Sequence, residues 1–259
     1  MKPRVRTALF LAAAAGAMPA LVRALPHFPA FGDHPSPYAD RVLASAPVDR
    51  HVQNVVTALN FDYRGFDTLG EEFILLCAVT GVTVLLRGSR GEHRSARTGQ
   101  VEGRPVIPPG EAVTLIARLF GVATFVLGLS VALHATSTPG GGFQGGVLIA
   151  SGFLLVFLGE GYRGWRAMMQ AELMDAVEAA GALVYVGCGL VGVWQGLPYL
   201  TNTLPLGTAG SVWAGGLMPV INAGVTCAVL GGFGMLFIEF LEETRVNPDA
   251  EQDTEAPKS

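Results

Sequence analysis

Three carboxylates stand directly in front of a long apolar run in the stretch RGFDTLGEEF, residues 64–73. Asp67, Glu71 and Glu72 could each bind a cation or a proton, and Arg64 is near enough in the sequence to hold them in place. An acidic group one turn inside a membrane helix costs roughly 3 kcal/mol unless it is paired or lines a wet path. These four residues are therefore the first candidate ion or proton site.

The same stretch also fits the start of a helix. Thr68 is followed three residues later by Glu71, which is the spacing of a capping box. In that motif the hydroxyl bonds a free backbone N–H and the glutamate reaches back to the capping residue. The helix dipole also favours acids in a first turn. The spacing alone leaves both interpretations open, helix capping and ion handling.

A second acidic group lies in the stretch ELMDAVEAAG, where Asp175 and Glu178 are three residues apart on one predicted helix face. These two residues either cap that helix, which is the preferred interpretation, or form an ion station on the cytoplasmic side. Arg118 lies about one turn inside another apolar run and can extend its charge to the membrane surface. Glu160 and Glu239 read as boundary residues at the ends of spans.

A glycine cluster, TPGGGFQGGV, occupies residues 138–147. No Lys follows it and no strand precedes it, so it is not a phosphate-binding loop. Two interpretations remain. The cluster is either a tight turn whose backbone lines a polar cavity, or a packing motif that pairs Gly141 with Gly145 and Gly142 with Gly146. The packing motif is preferred.

The three cysteines, Cys77, Cys188 and Cys227, lie far apart inside apolar runs. None has the CxxC spacing of a metal or redox site, so they are expected to be small packing residues. The five histidines are equally scattered. The sequence therefore predicts neither a metal site nor a cofactor.

The elements that must position these residues are membrane-spanning helices. Half of the chain is apolar and only 15% is charged, and a span of a hydrocarbon core about 30 Å thick takes roughly 20 apolar residues. The predicted fold is an all-α, multi-pass membrane protein with about six spans. The predicted spans are Thr7–Leu25, Phe66–Leu86, Val113–His134, Phe143–Gly159, Ala176–Leu197 and Leu217–Leu241.

The distribution of basic residues predicts the orientation of these spans, because cytoplasmic segments are enriched in Lys and Arg. Twelve of the 17 basic residues fall on one side, in the N-terminal tail, the second and fourth connections and the C-terminal tail. Both termini are therefore predicted to be cytoplasmic. The first apolar segment could instead be a signal peptide cleaved after Ala17. A retained helix is preferred because the apolar run continues past that point.

The connections divide the chain into modules. Residues 1–90 form a module with two spans, and residues 91–110 form a basic cytoplasmic linker that ends in Pro and Gly. Residues 111–243 form a four-span module rich in glycines, which allow membrane helices to approach closely. Residues 244–259 form an acidic tail that is expected to be disordered.

Two stretches resemble segments of one protein family, the Mrp-type multisubunit cation/proton antiporters. The stretch DYRGFDTLGE at residues 62–71 resembles the C-terminal part of the large A-type subunit and the matching MbhE subunit of membrane-bound hydrogenases. The stretch beginning with Pro139, Gly140, Gly141, Gly142 and Phe143 and continuing through Gly145 and Gly146 is similar to the MnhB/MrpB subunit. That family carries a His three residues before the Pro, whereas His134 precedes it by five, so His134 is assigned no role.

The resemblance implies a membrane subunit that makes and breaks no bond. Its partners would be the other antiporter subunits of the A, C, D, E, F and G types, the lipid bilayer, protons and Na⁺ or K⁺, with no nucleic acid. In that family the glutamate equivalent to Glu71 is placed in the cation pathway, with Asp67, Glu72 and Arg64 shaping the site. The implied location is the cell membrane of a bacterium or archaeon. Two alternatives are an ion-translocating subunit of a membrane-bound hydrogenase and a purely structural assembly subunit.

Overall fold

The computed structural model describes residues 3–27, 36–95 and 109–243, and every element in these ranges is helical. A 3-10 turn at Leu25–His27 follows the first helix, and a π-helical turn at Leu59–Tyr63 follows the third. The helices are α1 Pro3–Ala24, α2 Pro37–Asp49, α3 Val55–Ala58, α4 Gly65–Ser95, α5 Glu111–Leu133, α6 Gly142–Met168, α7 Ala171–Trp194 and α8 Met218–Glu243.

Six of these helices are long and apolar enough to cross a membrane, which confirms the predicted all-α, multi-pass fold. Their membrane segments begin and end within a few residues of the predicted spans. Helix α4 continues to Ser95, five residues into the predicted linker. The rest of that linker, up to residue 108, and the predicted acidic tail at 244–259 lie outside the described residues. The segments are Thr7–Ala24, Gly65–Leu86, Glu111–Leu133, Gly142–Gly161, Ala171–Trp194 and Met218–Leu241.

The chain divides into two compact units, residues 1–41 and 42–259. The first unit contains α1, an apolar helix whose described residues bury no side chain within the chain. The second unit holds the core and all of the candidate site residues. Whether the first apolar segment is retained or cleaved stays a prediction.

Helix α8 is the centre of the second unit. It packs against α4, α6 and α7, while α5 packs mainly against α6 at the edge. Of the α8 membrane segment 61% is buried inside the chain, compared with 17% for α4 and 17% for α5. The outer faces of α4 and α5 are therefore the surfaces that meet lipid or another protein.

Glycines set the spacing between α7 and α8. A Cβ atom on Gly181 would lie 2.4 Å from the nitrogen of Ala228 and 2.4 Å from the carbonyl oxygen of Gly224. Both neighbouring atoms belong to the backbone, so they cannot move aside as a flexible side chain would. This interface agrees with the predicted use of glycine for close helix packing. Lipid provides no hydrophobic drive between helices, so close contact is what holds them together.

Gly181→Ala is expected to destabilise the protein by about 1–3 kcal/mol, because the added methyl group forces α7 away from the α8 backbone. Gly187→Ala is the matched control. It lies on the same helix, and its Cβ would meet no atom within 4 Å. Thermal unfolding of the two variants in detergent measures the difference. Equal stability of both variants would contradict the close packing of α7 on α8.

Candidate ion site

The start of helix α4 differs from the predicted capping box. The helix begins at Gly65, directly after the π-helical turn, so Thr68 lies inside its first turns and is not the capping residue. The Thr68 side chain is buried and faces the interior of the chain. The capping interpretation of Thr68 and Glu71 is therefore wrong, because the turn before the helix moves its first residue four positions upstream, from residue 69 to Gly65.

The acids of α4 point in different directions. Asp67 and Glu71 are exposed, and Asp67 forms an ion pair with the exposed guanidinium of Arg64 one turn away. Glu72, by contrast, is only 4% exposed and faces the interior of the chain. Adjacent helix positions differ by about 100° in direction, so Glu71 and Glu72 cannot share an environment. The structure thus separates the four predicted site residues into an outer group of three and one inner carboxyl.

The second acidic pair is also divided. Helix α7 begins at Ala171 after the N-cap residue Gln170, so Asp175 and Glu178 lie one and two turns inside it. The capping interpretation is therefore wrong for both residues. Asp175 is exposed, whereas Glu178 is only 5% exposed and faces α8 and α4.

Glu72 of α4 and Glu178 of α7 are both buried in the part of the bundle where these helices pack against α8. One oxygen of each, Oε1, is buried and has no hydrogen-bond partner among the described residues. Gly232 of α8 provides the room for the carboxyl group of Glu178. A Cβ atom there would lie 3.1 Å from Oε1 of Glu178 and 3.2 Å from Cγ2 of Val79. Sequence reasoning placed these two acids in separate groups, and the packing of three helices buries both of them.

Tyr185 is a part of this site that the sequence did not indicate. It is fully buried on the same face of α7 as Glu178, seven residues further along. Its hydroxyl donates a hydrogen bond to the carbonyl oxygen of Gly65 over 2.7 Å, and its ring packs edge-on against Phe61 with centroids 6.3 Å apart. The spacing of seven residues from Glu178 is the signal that could have revealed it.

An open cavity of about 520 Å³ lies beside the start of α4. Asp62 on its wall forms an ion pair with Arg50, whose Nε lies 2.8 Å from Oδ2, and accepts a hydrogen bond from Nδ2 of Asn202 over 3.0 Å. Partial burial raises the pKa of the Tyr199 hydroxyl, so this lining residue is uncharged at neutral pH. The lining residues are Arg50, Asp62, Tyr63, Arg64, Gly65, Phe66, Tyr199, Leu200, Thr201 and Asn202.

This cavity borders the buried Tyr185. Gly65 lines it, and the carbonyl oxygen of the same residue accepts the hydrogen bond of Tyr185. The roles of Asp62, Arg50 and Asn202 could not be predicted, because their contact joins segments far apart in the chain.

The glycine cluster is a packing junction between three helices. A Cβ on Gly142 would lie 2.6 Å from the carbonyl oxygen of Asn222 on α8, and one on Gly145 would lie 2.7 Å from the Cβ of Ala132 on α5. Gly146 likewise meets Val229 of α8 at 2.8 Å. The glycines therefore contact different helices on opposite sides of α6, in agreement with the preferred packing interpretation.

The same cluster also makes a tight turn. Gly140 has a φ of 125°, and Gly141 is the N-cap position of α6. Asn54 fixes this turn, because its Nδ2 donates to the carbonyl oxygens of Ala135, Thr138 and Gly140 over 2.8–3.1 Å. Pro139 is exposed and Phe143 packs against the core. Both interpretations of the cluster thus describe a part of it.

Two boundary residues have further contacts. Arg118 of α5 forms an ion pair with Glu160 of α6, so this charged side chain is held by a neighbour and does not only extend to the surface. Glu239 of α8 lies two residues before the end of its membrane segment, as predicted for a boundary residue, and its side chain is buried. Within the described ranges, no three His, Cys, Asp or Glu side chains come close enough to hold a metal ion.

The sequence matches known proteins along most of its length. A family model described as "Domain related to MnhB subunit of Na+/H+ antiporter" matches residues 112–235. An uncharacterized protein of Methanocaldococcus jannaschii is 30% identical over 203 residues, which cover 70% of this chain and 74% of that protein. The chain belongs to the MnhB-related subunit family. This membership confirms the resemblance drawn from the glycine cluster, while the MbhE-like module at residues 1–90 stays a prediction.

Another relative of this MnhB-related chain is a probable K⁺/H⁺ antiporter A/B subunit from Rhizobium meliloti, 27% identical over 217 residues. The match covers 76% of this chain and 21% of that protein, so the chain spans about a fifth of the relative's length.

Two solved structures have the same fold. A chain of the membrane-bound sulfane sulfur reductase, an archaeal respiratory membrane complex, matches with a TM-score of 0.65 and 26% identity over 92% of this chain and 98% of that one. A chain of the Mrp complex from Dietzia sp. matches with a TM-score of 0.68 over 96% of this chain and 27% of that one. At 23% identity the second match shows the fold alone.

Asp62→Ala is expected to destabilise the MnhB-related chain by about 1–3 kcal/mol, because it removes the carboxylate that pairs with the partly exposed Arg50 and accepts the hydrogen bond of Asn202. The Asp62 side chain is 11% exposed. Asp67→Ala is the matched control, since that side chain is 51% exposed and its ion pair contributes below about 1 kcal/mol. Thermal unfolding in detergent measures both. A larger loss for Asp67→Ala would contradict the described geometry.

Proposed function

We propose that the chain is a membrane subunit of a multisubunit monovalent cation/proton antiporter in the cell membrane of a bacterium or archaeon. The observation that carries this proposal is the burial of two acids, Glu72 and Glu178, inside a membrane-spanning bundle, where one oxygen of each has no partner among the described residues. The printed descriptions of the family and of the Rhizobium meliloti relative, which name Na⁺/H⁺ and K⁺/H⁺ antiport, support it. In this role the chain makes and breaks no covalent bond.

Keeping Glu72 and Glu178 inside the membrane costs free energy, and this cost is the reason to assign them a function. Ionisable groups inside a membrane cost free energy and are typical of ion and proton pathways. Packing alone would be served better by apolar side chains, because buried charges lose their hydration without regaining an equivalent partner. The pair therefore has a use in moving ions.

Glu71 and Asp67 belong to the outer part of the same pathway. Both lie on the exposed face of α4, and Glu71 acts electrostatically on Glu72 one position further on. A neighbouring subunit of the complex would pack on this face, so Glu71 is assigned to the boundary where a cation passes between subunits. Arg64 holds Asp67 there through their ion pair.

A second candidate function is an ion-translocating subunit in a respiratory membrane complex. The match to the sulfane sulfur reductase favours it, because that match covers 98% of the reductase chain. A membrane-bound hydrogenase belongs to the same alternative. The neighbouring genes discriminate between these assemblies, since reductase and hydrogenase subunits bring cysteine-ligated metal centres and antiporter subunits do not.

Glu72→Gln and Glu178→Gln are each expected to lower cation-dependent proton exchange at least tenfold in vesicles that carry the assembled complex. Glutamine keeps the size of the side chain and removes the titratable proton. Glu172→Gln is the matched control, because Glu172 is exposed in the first turn of α7. If both variants assemble normally and their exchange is unchanged, the proposal is wrong. That result would favour the third interpretation of the sequence, a purely structural subunit.

Glu71→Gln is expected to act differently, by raising the apparent KM for the cation with little change in the maximal rate. An exposed carboxylate concentrates cations at the mouth of a pathway, whereas an internal acid limits the rate at every cation concentration. Exchange measured over a series of Na⁺ and K⁺ concentrations separates the two effects. A fall in the maximal rate with an unchanged KM would contradict the outer position assigned to Glu71.

A further inference from the structure

We propose that a small cavity at the start of α6 is a binding site for water, and that this water joins the segment before α4 to the glycine turn before α6. The cavity has a volume of about 40 Å³ and is lined by residues from the stretches 56–61 and 140–144. The inference goes beyond the proposed function, because it concerns a different part of the chain from the two buried acids.

Gly141 differs from its neighbours in the glycine turn. Gly140 has the positive φ of 125° that favours glycine, and a Cβ on Gly142 would lie 2.6 Å from a carbonyl oxygen of α8. Gly141, in contrast, has a φ of 168°, which is extended backbone. A Cβ on Gly141 would meet only two side-chain oxygens among the described residues, Oε1 of Gln144 at 3.3 Å and Oδ1 of Asn222 at 3.6 Å. Alanine would fit there, so close packing does not explain this glycine.

The Asn222 oxygen beside Gly141 needs a hydrogen-bond donor. Asn222 is 3% exposed, and its Nδ2 donates to the carbonyl oxygen of Ala132 over 2.7 Å. This bond fixes the orientation of the amide, which leaves Oδ1 as a buried acceptor without a partner among the described residues. Such an acceptor costs roughly 1–3 kcal/mol unless a donor reaches it. A small donor beside Gly141 is close to both this oxygen and Oε1 of Gln144.

The start of α6 provides the opposite kind of group. The first N–H groups of a helix have no acceptor within the helix, and the N-cap residue here is Gly141, which has no side chain to cap them. Gly142, Phe143 and Gln144 form the first turn of α6 and also line the cavity. The occupant must therefore accept hydrogen bonds from N–H groups as well as donate to side-chain oxygens.

Water meets both requirements, whereas an ion meets only one. The positive end of the α6 dipole disfavours an alkali cation at this place, and the oxygens of Asn222 and Gln144 would repel an anion. A water molecule needs roughly 10–15 Å³ of cavity volume, so the site has room for more than one. Asn60, which also lines the cavity, belongs to the π-helical turn before α4. Water at this place therefore bridges that turn and the start of α6.

Radiolytic footprinting of the purified full-length protein tests the inference, because an X-ray pulse converts bound water into hydroxyl radicals that label the nearest side chains. Phe143 lines the cavity. Phe233 of α8 is the matched control, since it is also partly buried against the same core cluster but does not line this cavity. Phe143 is expected to be labelled severalfold faster than Phe233. In Gly141→Ala the methyl group takes the place of the water, so the labelling of Phe143 should fall to the rate of Phe233.

Gly141→Ser separates the loss of the water from the loss of its hydrogen bonds. The serine hydroxyl can donate to Oδ1 of Asn222, and serine is a favoured N-cap residue. We expect this variant to lose the fast labelling of Phe143, as Gly141→Ala does. Its thermal unfolding in detergent should nevertheless occur at a higher temperature than that of Gly141→Ala.

Equal labelling of Phe143 and Phe233 in the wild-type protein would overturn the inference, and this comparison needs no variant. Fast labelling of Phe143 that persists in folded Gly141→Ala would also overturn it. A third contrary result would be stabilisation of the wild type by NaCl relative to choline chloride that Gly141→Ala loses. That result would show an alkali cation at the site in place of water.

Discussion

The close approach of α7 to α8 is the constraint on which the rest of the structure depends. Gly181 and Gly224 let the two backbones touch, and further along α8, Gly231 and Gly232 make room for the backbone and carboxyl group of Glu178. Any side chain at these positions would separate the helices and withdraw Glu178 from Glu72. The glycines thus serve packing and chemistry together, because the same small surface that joins two membrane helices also sets the position of an internal acid.

The spans could be predicted from the sequence because length and apolarity decide them, and the membrane imposes both. Close packing at glycines could also be predicted, because small residues let membrane helices approach each other. The inner site could not, since Glu71 and Glu72 are adjacent and only tertiary contacts decide which of them faces inward. The capping box failed at Thr68 because a π-helical turn precedes α4 and shifts its start to Gly65. Asp62, Asn202 and Tyr185 were missed because their contacts join distant parts of the chain.

The arrangement explains how one short motif can serve two tasks. Asp67 and Glu71 lie on the exposed face of α4, and Arg64 is exposed just before the helix, while Thr68 and Glu72 lie on its buried face. A helix presents these faces to different partners, so one stretch of sequence contributes both to an interface and to an internal site. Membership of the MnhB-related family agrees with this division, because a component of a larger complex needs an outer surface for its neighbours as well as an interior of its own.

The central claim is that Glu72 and Glu178 act as one unit, and a double-mutant cycle on transport tests it most directly. Cation-dependent proton exchange would be measured for Glu72→Gln, Glu178→Gln and the variant with both substitutions in the same vesicles. Residues that act as a unit are strongly non-additive, so the account predicts that the double variant is no slower than the slower single variant. Losses that multiply in the double variant would show two independent sites and would contradict the account.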